Sequence, residues 1–82
     1  MDYFEFTSSE VQSFYTLIAK NVKFFRKEKG LTQLDLALTI GHKTMSTIGK
    51  IEAGLENKHY NIEQLYKIAQ VLDVDICHFF KS

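Results

Sequence analysis

Hydrophobic side chains recur every three or four residues along almost the whole chain, which is the spacing of helices with one apolar face. The first such stretch predicts a helix over residues 10–29, with Ser9 and Gln12 as a capping box and Gly30 at its end. Its apolar positions are Val11, Phe14, Ile18, Val22 and Phe25. Because helical spacing continues through the later segments and no proline interrupts it, we predict an all-α fold.

Two short helices follow, separated by a tight turn. Thr32 and Asp35 predict a capping box for the second helix, and Gly41 supplies the left-handed residue that its end requires. Thr44 is predicted to cap a third helix over residues 44–53. Its core-facing positions are Ile48, Ile51 and Leu55, and its opposite face carries Met45, Ser46, Gly49, Lys50 and Ala53. This arrangement predicts a helix-turn-helix.

The C-terminal third of the chain predicts two further helices. Asn61 and Gln64 form a capping box for the fourth helix, whose core-facing positions are Ile62, Leu65, Ile68, Ala69 and Leu72. Asp75 begins a short last helix, whose Ile76, Phe79 and Phe80 close one end of the core. The sequence therefore predicts a compact five-helix bundle with an extended first helix.

The length of 82 residues accommodates a single domain, which we place at residues 10–82. Residues 1–9 are predicted to form an N-terminal arm. Its Tyr3, Phe4 and Phe6 are compatible with a short strand, an ordered arm or a disordered terminus. The sequence leaves these three alternatives open.

The chain shows no pattern of a secreted or membrane protein. Cys77 is the only cysteine, so it forms no internal disulfide, and we predict that it is buried beside an exposed His78. No charged start followed by an apolar run marks a signal peptide, and no long apolar run predicts a membrane span. We therefore predict a cytoplasmic protein without membrane contact.

Charge is balanced overall but unevenly distributed along the chain. The net charge is zero, which by itself argues against binding to a polyanion. Between residues 20 and 59, however, eight basic side chains stand against four acidic ones, and both flanking segments are acidic. The positive charge is thus concentrated around the helix-turn-helix, although a solvated surface of mixed sign explains the counts equally well.

From about Ile18 to Phe80 the chain resembles the Xre/Cro family of phage-repressor-like helix-turn-helix domains. The matching positions are Arg26, Gly30-Leu31-Thr32-Gln33, Leu36-Ala37, Gly41, Thr44, Thr47-Ile48, Ile51-Glu52, Gly54 and the run Leu65, Ile68-Ala69, Leu72 and Val74. The resemblance implies a compact five-helix fold and a double-stranded DNA partner. The third helix would lie in the major groove, where base edges present a readable pattern of donors and acceptors.

Roles of single residues follow from the resemblance where positions match. Gln33 matches a glutamine that binds a phosphate and supports the recognition helix, a contact that positions the protein without reading sequence. Lys50 matches a groove-facing position, from which its ammonium group would reach guanine acceptors. The other matching or neighbouring positions predicted to contact DNA are Lys43, Thr44, Met45, Ser46, Thr47, Gly49 and Lys58. Arg26 and Glu52 match an ion pair between the first and third helices, which we assign to architecture.

The sequence departs from the family pattern in its turn, its apolar surface and its first helix. His42 and Lys43 make the turn of the helix-turn-helix one residue longer than usual. Leu34 and Leu38 replace charged residues on the second helix, and Phe14 lies on the additional turns of the first helix. Either the N-terminal arm covers Leu34 and Leu38, or these residues with Phe14 form an interface with a second copy or a protein partner. We favour a homodimer.

No arrangement of residues indicates catalysis or a cofactor. The three histidines are scattered, and Cys77-His78 lacks a second pair at zinc-binding spacing. We therefore predict a sequence-specific DNA-binding regulator, either a repressor or an autoregulating controller, that is not an enzyme. The alternative is an antitoxin-like protein-interaction module that uses the same fold without strong DNA binding. A steep loss of DNA affinity with salt would distinguish the first from the second.

Overall fold

A computed structural model of the chain describes residues 5–82 and contains four α-helices and one 3-10 helix. The helices are α1 (Ser8–Glu28), α2 (Gln33–Thr39), α3 (Ser46–Ala53) and α4 (Ile62–Leu72), followed by the 3-10 helix (Ile76–Phe80). No strand occurs within this described range. The predicted all-α class is confirmed. The expectation of five α-helices is corrected to four, because the last predicted helix is the short 3-10 segment.

Helix α1 begins two residues before its predicted start. The backbone N–H of Glu10 donates to Thr7 Oγ1 at 3.1 Å, and the Thr7 N–H donates to Glu10 Oε2 at 3.0 Å. This capping box replaces the predicted one, and the reason is the reach of the Glu10 carboxylate back to the preceding turn. Tyr3 and Phe4 of the predicted arm lie outside the described residues, whereas Phe6 is exposed.

The capping boxes predicted for α2 and α4 are both confirmed. Thr32 accepts from the Asp35 N–H at 3.0 Å, and Asn61 accepts from the Gln64 N–H at 2.8 Å. In return, the backbone N–H of Thr32 donates to the Asp35 side chain, and the backbone N–H of Asn61 donates to the Gln64 side chain. Gly41, which follows α2, has a positive φ of 84°, as its predicted role at the helix end requires.

Helix α3 begins later than predicted. Its first residue is Ser46 and its N-cap is Met45, which makes no capping hydrogen bond through its side chain. Thr44 lies one residue too early to be the cap, although its hydroxyl accepts from the Ser46 N–H at 3.4 Å. The turn therefore extends to Met45, and α3 is two residues shorter at its beginning than the predicted helix over residues 44–53.

A single hydrophobic core is shared by all the helices. Its buried members are Ile18, Val22, Leu36, Ala37, Ile40, Ile48, Ile51, Tyr60, Leu65, Ile68, Ala69, Leu72 and Phe79. Two predicted core residues, Leu55 and Ile62, are instead more than half exposed. Leu55 follows Gly54, whose positive φ ends α3 and turns the chain away. Ile62 is the first residue of α4. Side chains in a helix tilt toward its N-terminus, so this one points beyond the end of α4 and away from the core.

The 3-10 helix is attached to α1 and so fixes the orientation of the longest helix. The Asn21 amide donates to the backbone oxygens of Phe79 and Lys81 at 2.9 and 2.8 Å. The rings of Phe14 and Phe80 are stacked with centroids 6.0 Å apart. Because these contacts hold the middle of α1, they also set the position from which Arg26 reaches α3.

Candidate nucleic-acid interface

The carboxylate of Glu52 joins three segments of the chain at the back of the helix-turn-helix. Arg26 of α1 donates from Nε to Glu52 Oε2 at 2.8 Å and from Nη2 to Glu52 Oε1 at 2.9 Å. Gln33 of α2 donates from Nε2 to the same Oε1 at 3.0 Å. The paired side chains of Arg26 and Glu52 are only 9% and 3% exposed. We call these three residues the Glu52 network.

The Glu52 network fixes α2 and α3 relative to each other and to α1. The fork of the Arg26 guanidinium matches the carboxylate with two parallel hydrogen bonds, which defines its orientation as well as its distance. Arg26 Nη1 also donates to the Leu31 carbonyl oxygen at 2.8 Å, just before α2. The ion pair implied by the resemblance is therefore present. Gln33 uses one amide N–H within the protein and retains a second one for an external acceptor.

Tyr60 is buried beside this network. Its hydroxyl has no hydrogen-bond partner among the described residues. Burial raises the pKa of Tyr60 well above its usual value, and the nearby Glu52 carboxylate acts in the same direction. The phenol is therefore neutral at every physiological pH, and the packing at the back of α3 does not depend on its titration.

The opposite side of α3 is open to solvent among the described residues. Ile48 and Ile51 face the core and are 0% and 3% exposed, as the sequence predicts. Lys43, Thr44, Met45 and Ser46 are exposed, and Thr47, Gly49 and Lys50 are half-buried. We call these seven residues the recognition surface. All of them lie on the turn and helix where the resemblance implies contact with DNA.

Gly49 is a helical position with room for a side chain. Its φ is not in the positive range, and a Cβ built there would meet only Gln33 Oε1, at an ordinary contact distance of 3.6 Å. Because alanine is the better helix former, we expect Gly49→Ala to raise the free energy of unfolding by about 1 kcal/mol. Chemical denaturation measures this difference, and a loss of stability would show that the contact with Gln33 is too tight.

Lys50 forms an ion pair that the sequence did not reveal. Its Nζ lies 2.9 Å from Glu56 Oε2, in the loop that follows α3. The two residues are six positions apart and separated by the end of the helix, so the spacing rules for helical pairs do not find them. The hydrogen bond and charge of Lys50 lower the pKa of the Glu56 carboxyl below its usual value. The residue expected to meet guanine therefore already has an anionic partner.

Lys58 lies beside a second group of basic residues. It lines a groove of about 270 Å³ between α1 and the end of α3, together with Lys20 and Lys23 of α1. The loop that carries Lys58 is held against α1 by His59, whose ring stacks on Tyr15 with centroids 3.8 Å apart. The basic residues counted along the sequence are thus brought together in part by this loop.

The three residues of the predicted protein interface have different surroundings. Leu34 and Leu38 on α2 are 43% and 58% exposed among the described residues. Phe14 on α1 is 48% exposed and stacks on Phe80. Whether the first four residues cover α2 lies outside the described part of the chain.

Other chemistry is sparse in the described residues. Within residues 5–82 no group of three or more histidine, cysteine or acidic residues could hold a metal ion. Cys77 is exposed, so the prediction that it is buried was wrong: it lies on the solvent side of the 3-10 helix. Hydrogen bonding with the Asp75 carboxylate raises the pKa of its thiol.

No helix in the described range has the length and apolar character needed to cross a lipid bilayer.

The model of a family described as helix-turn-helix matches residues 22–79, which include α2, α3 and α4. No curated protein and no solved structure matches the chain.

Proposed function

Because this chain belongs to the Xre/Cro-like helix-turn-helix family of DNA-binding regulators, we propose that it is a sequence-specific transcriptional regulator. In this proposal α3 enters the major groove and presents the recognition surface to base edges. Gln33 contacts a phosphate through its second amide N–H, and Lys43 and Lys58 contact the backbone on either side of α3. Bound to promoter DNA, the protein represses a neighbouring operon or its own gene.

The observation that supports this proposal most strongly is that α3 is held in place on its core-facing side and is exposed on the opposite side. The Glu52 network and the buried Ile48 and Ile51 hold the helix in one orientation. Met45 and Ser46, at its beginning, are exposed. A helix that is held rigidly meets base edges without a further loss of conformational entropy on binding.

The proposal is tested first by selection of bound duplexes from a random pool. We expect an enriched sequence motif, and an affinity for it that falls steeply with salt as phosphate contacts release counterions. Two copies of the motif about one helical turn apart would support a homodimer. Enrichment of no motif, together with binding that does not respond to salt, would overturn the proposal.

Ser46→Glu tests the position of the recognition surface. A carboxylate in the first turn of α3 is favourable for the helix, but it would face the phosphates and base acceptors of DNA. We expect DNA affinity to fall more than about ten-fold, the equivalent of about 1.4 kcal/mol, while the melting temperature stays the same or rises. Fluorescence anisotropy with the selected duplex and thermal melting measure the two effects.

Ser9→Glu is the matched control for this substitution. It adds the same charge to the first turn of α1, outside the recognition surface. We expect it to change DNA affinity less than two-fold. Equal losses in the two variants would show that net charge, and not contact through α3, determines the affinity.

A protein-interaction module is the second candidate, and the exposure of Leu34 and Leu38 favours it. Apolar side chains on α2 are also suited to a second copy of the chain, which we propose as the occupant when the protein binds DNA. Sedimentation at high protein concentration distinguishes the two. A monomer that binds no DNA would favour the adaptor, and a dimer that binds DNA would favour the regulator.

A further inference from the structure

The loop after α3 contains an unusual backbone conformation at Glu56. Glu56 and the next residue, Asn57, both have positive φ values, of 56° and 53°. This region is unfavourable for residues with a Cβ atom, and only asparagine and aspartate tolerate it well. Glu56 is therefore held in a conformation for which its residue type is poorly suited.

In this loop the Glu56 carboxylate lies beside Lys50 of the recognition surface. Glu56 Oε2 lies 2.9 Å from Lys50 Nζ, while 37% of the Lys50 side chain and 55% of the Glu56 side chain are exposed. The pair is thus open to an incoming ligand. Lys50 is the one lysine within α3.

DNA must compete with Glu56 for the ammonium group of Lys50. Any phosphate or guanine acceptor that takes Lys50 leaves the carboxylate without its partner and close to a polyanion. A poorly matched duplex gains too little from Lys50 to compensate for this repulsion. A duplex with an acceptor in the right place gains a directed hydrogen bond to a base.

We propose that Glu56 is a specificity-determining residue that competes with DNA for Lys50 and so suppresses binding to duplexes without the cognate sequence. This inference rests on the proposed DNA-binding function. It assigns to the loop after α3 a role in discrimination. The Glu56 carboxylate lowers the affinity for every duplex. Only a duplex with a base acceptor within reach of Lys50 compensates for this loss of affinity.

The test compares Glu56→Gln with wild type on a short duplex of random sequence. Glutamine keeps the size of the side chain and removes its charge, so Lys50 becomes available to phosphates. We expect the random duplex to bind about three- to ten-fold more tightly at about 50 mM salt. The slope of log affinity against log salt should steepen by about 0.9, the value for one additional phosphate contact.

Glu63→Gln is the matched control. It makes the same change in net charge and breaks a second exposed lysine–glutamate pair, in which Lys67 Nζ lies 3.1 Å from Glu63 Oε2 on α4. We expect it to alter affinity less than two-fold. Equal effects of Glu56→Gln and Glu63→Gln would overturn the proposal, because net charge alone would then account for both.

A second background separates competition for Lys50 from general repulsion of DNA. In a Lys50→Gln protein, Glu56→Gln should raise affinity clearly less than it does in the wild-type background, because only the direct repulsion between the carboxylate and DNA remains to be removed. A full effect in this background would overturn the role of Lys50. If neither wild type nor any of these variants bound DNA, the proposed function itself would fail, and the inference would fail with it. Binding by Glu56→Gln alone would support both.

Discussion

Glu52→Ala is expected to lower the free energy of unfolding by about 3–5 kcal/mol, because it leaves the Arg26 guanidinium buried without its partner. The Arg26 side chain is 9% exposed and loses both of its hydrogen bonds to Glu52. Gln33 loses its acceptor in the same substitution. A domain of this size is stable by roughly 4–12 kcal/mol, so much of its stability would be lost. Urea denaturation followed by circular dichroism measures the change.

The effect should extend from stability to DNA affinity. Without Glu52, no side-chain hydrogen bond among the described residues joins α3 to α1 or α2, and only the packing of Ile48 and Ile51 against the core still orients the recognition surface. Glu63→Ala is the matched control, since it removes an exposed carboxylate from its lysine partner and should cost less than about 0.5 kcal/mol. Equal denaturation midpoints for the two variants would refute the structural role of the buried pair.

The contribution that the charges of Arg26 and Glu52 make to stability can be measured separately from the contribution of their packing. Replacing a buried ion pair by apolar residues of similar volume is often neutral or stabilising, because the cost of desolvating two charges disappears. We therefore expect Arg26→Met combined with Glu52→Leu to recover most of the stability that Glu52→Ala loses. The same double variant should still bind DNA less tightly, since the hydrogen bond to Gln33 is absent.

Phe79→Ala is expected to cost about 3–5 kcal/mol, the range for removing a large buried aromatic side chain. Phe79 is 0% exposed, and its ring packs against Phe25 of α1 with centroids 6.1 Å apart. Its carbonyl oxygen accepts from Asn21, so the same residue joins the 3-10 helix to α1 through backbone and side chain. Thermal and urea denaturation should both show the loss.

Phe24→Ala is the control for this substitution. Phe24 also lies on α1, next to Phe25. Its side chain is 56% exposed, and its ring contacts the Phe25 ring edge-on with centroids 5.2 Å apart. We expect it to cost no more than about 1.5 kcal/mol, the upper range for one aromatic pair. A similar loss from both substitutions would mean that the 3-10 helix does not close the core.

Glu52→Ala and Phe79→Ala should have similar effects on stability but different effects on DNA affinity. Phe79 contacts none of the residues of the Glu52 network through a hydrogen bond, so the folded fraction of Phe79→Ala should retain its DNA affinity. Glu52→Ala should lose affinity even when measured well below its melting temperature. The comparison separates positioning of α3 from the stability of the domain as a whole.

Local sequence determined the helices of this protein and most of their ends. The capping boxes at Thr32 and Asn61 and the left-handed residue at Gly41 depend on side chains a few positions apart, so residue spacing is sufficient to predict them. The same reasoning failed for α1, where Thr7 and Glu10 supply a better box than Ser9 and Gln12.

Burial at the ends of helices was less predictable from the pattern. Ile62 has the spacing of a core residue, but it stands at the first turn of α4 and is 69% exposed among the described residues. Leu55 has the spacing of α3, which ends before that residue is reached. Periodicity gives the direction of a side chain around the helix axis and does not say whether another element lies there.

The sequence alone determined the fold class, the helix-turn-helix and the pairing of Arg26 with Glu52 that the family resemblance implied. Only the tertiary structure decided what those residues contact beyond each other. It joins Gln33 to the Glu52 carboxylate, and it sets Glu56 against Lys50. Neither contact follows from a fixed spacing along a helix, because each crosses a turn or a loop whose backbone angles depend on the packing of the whole domain.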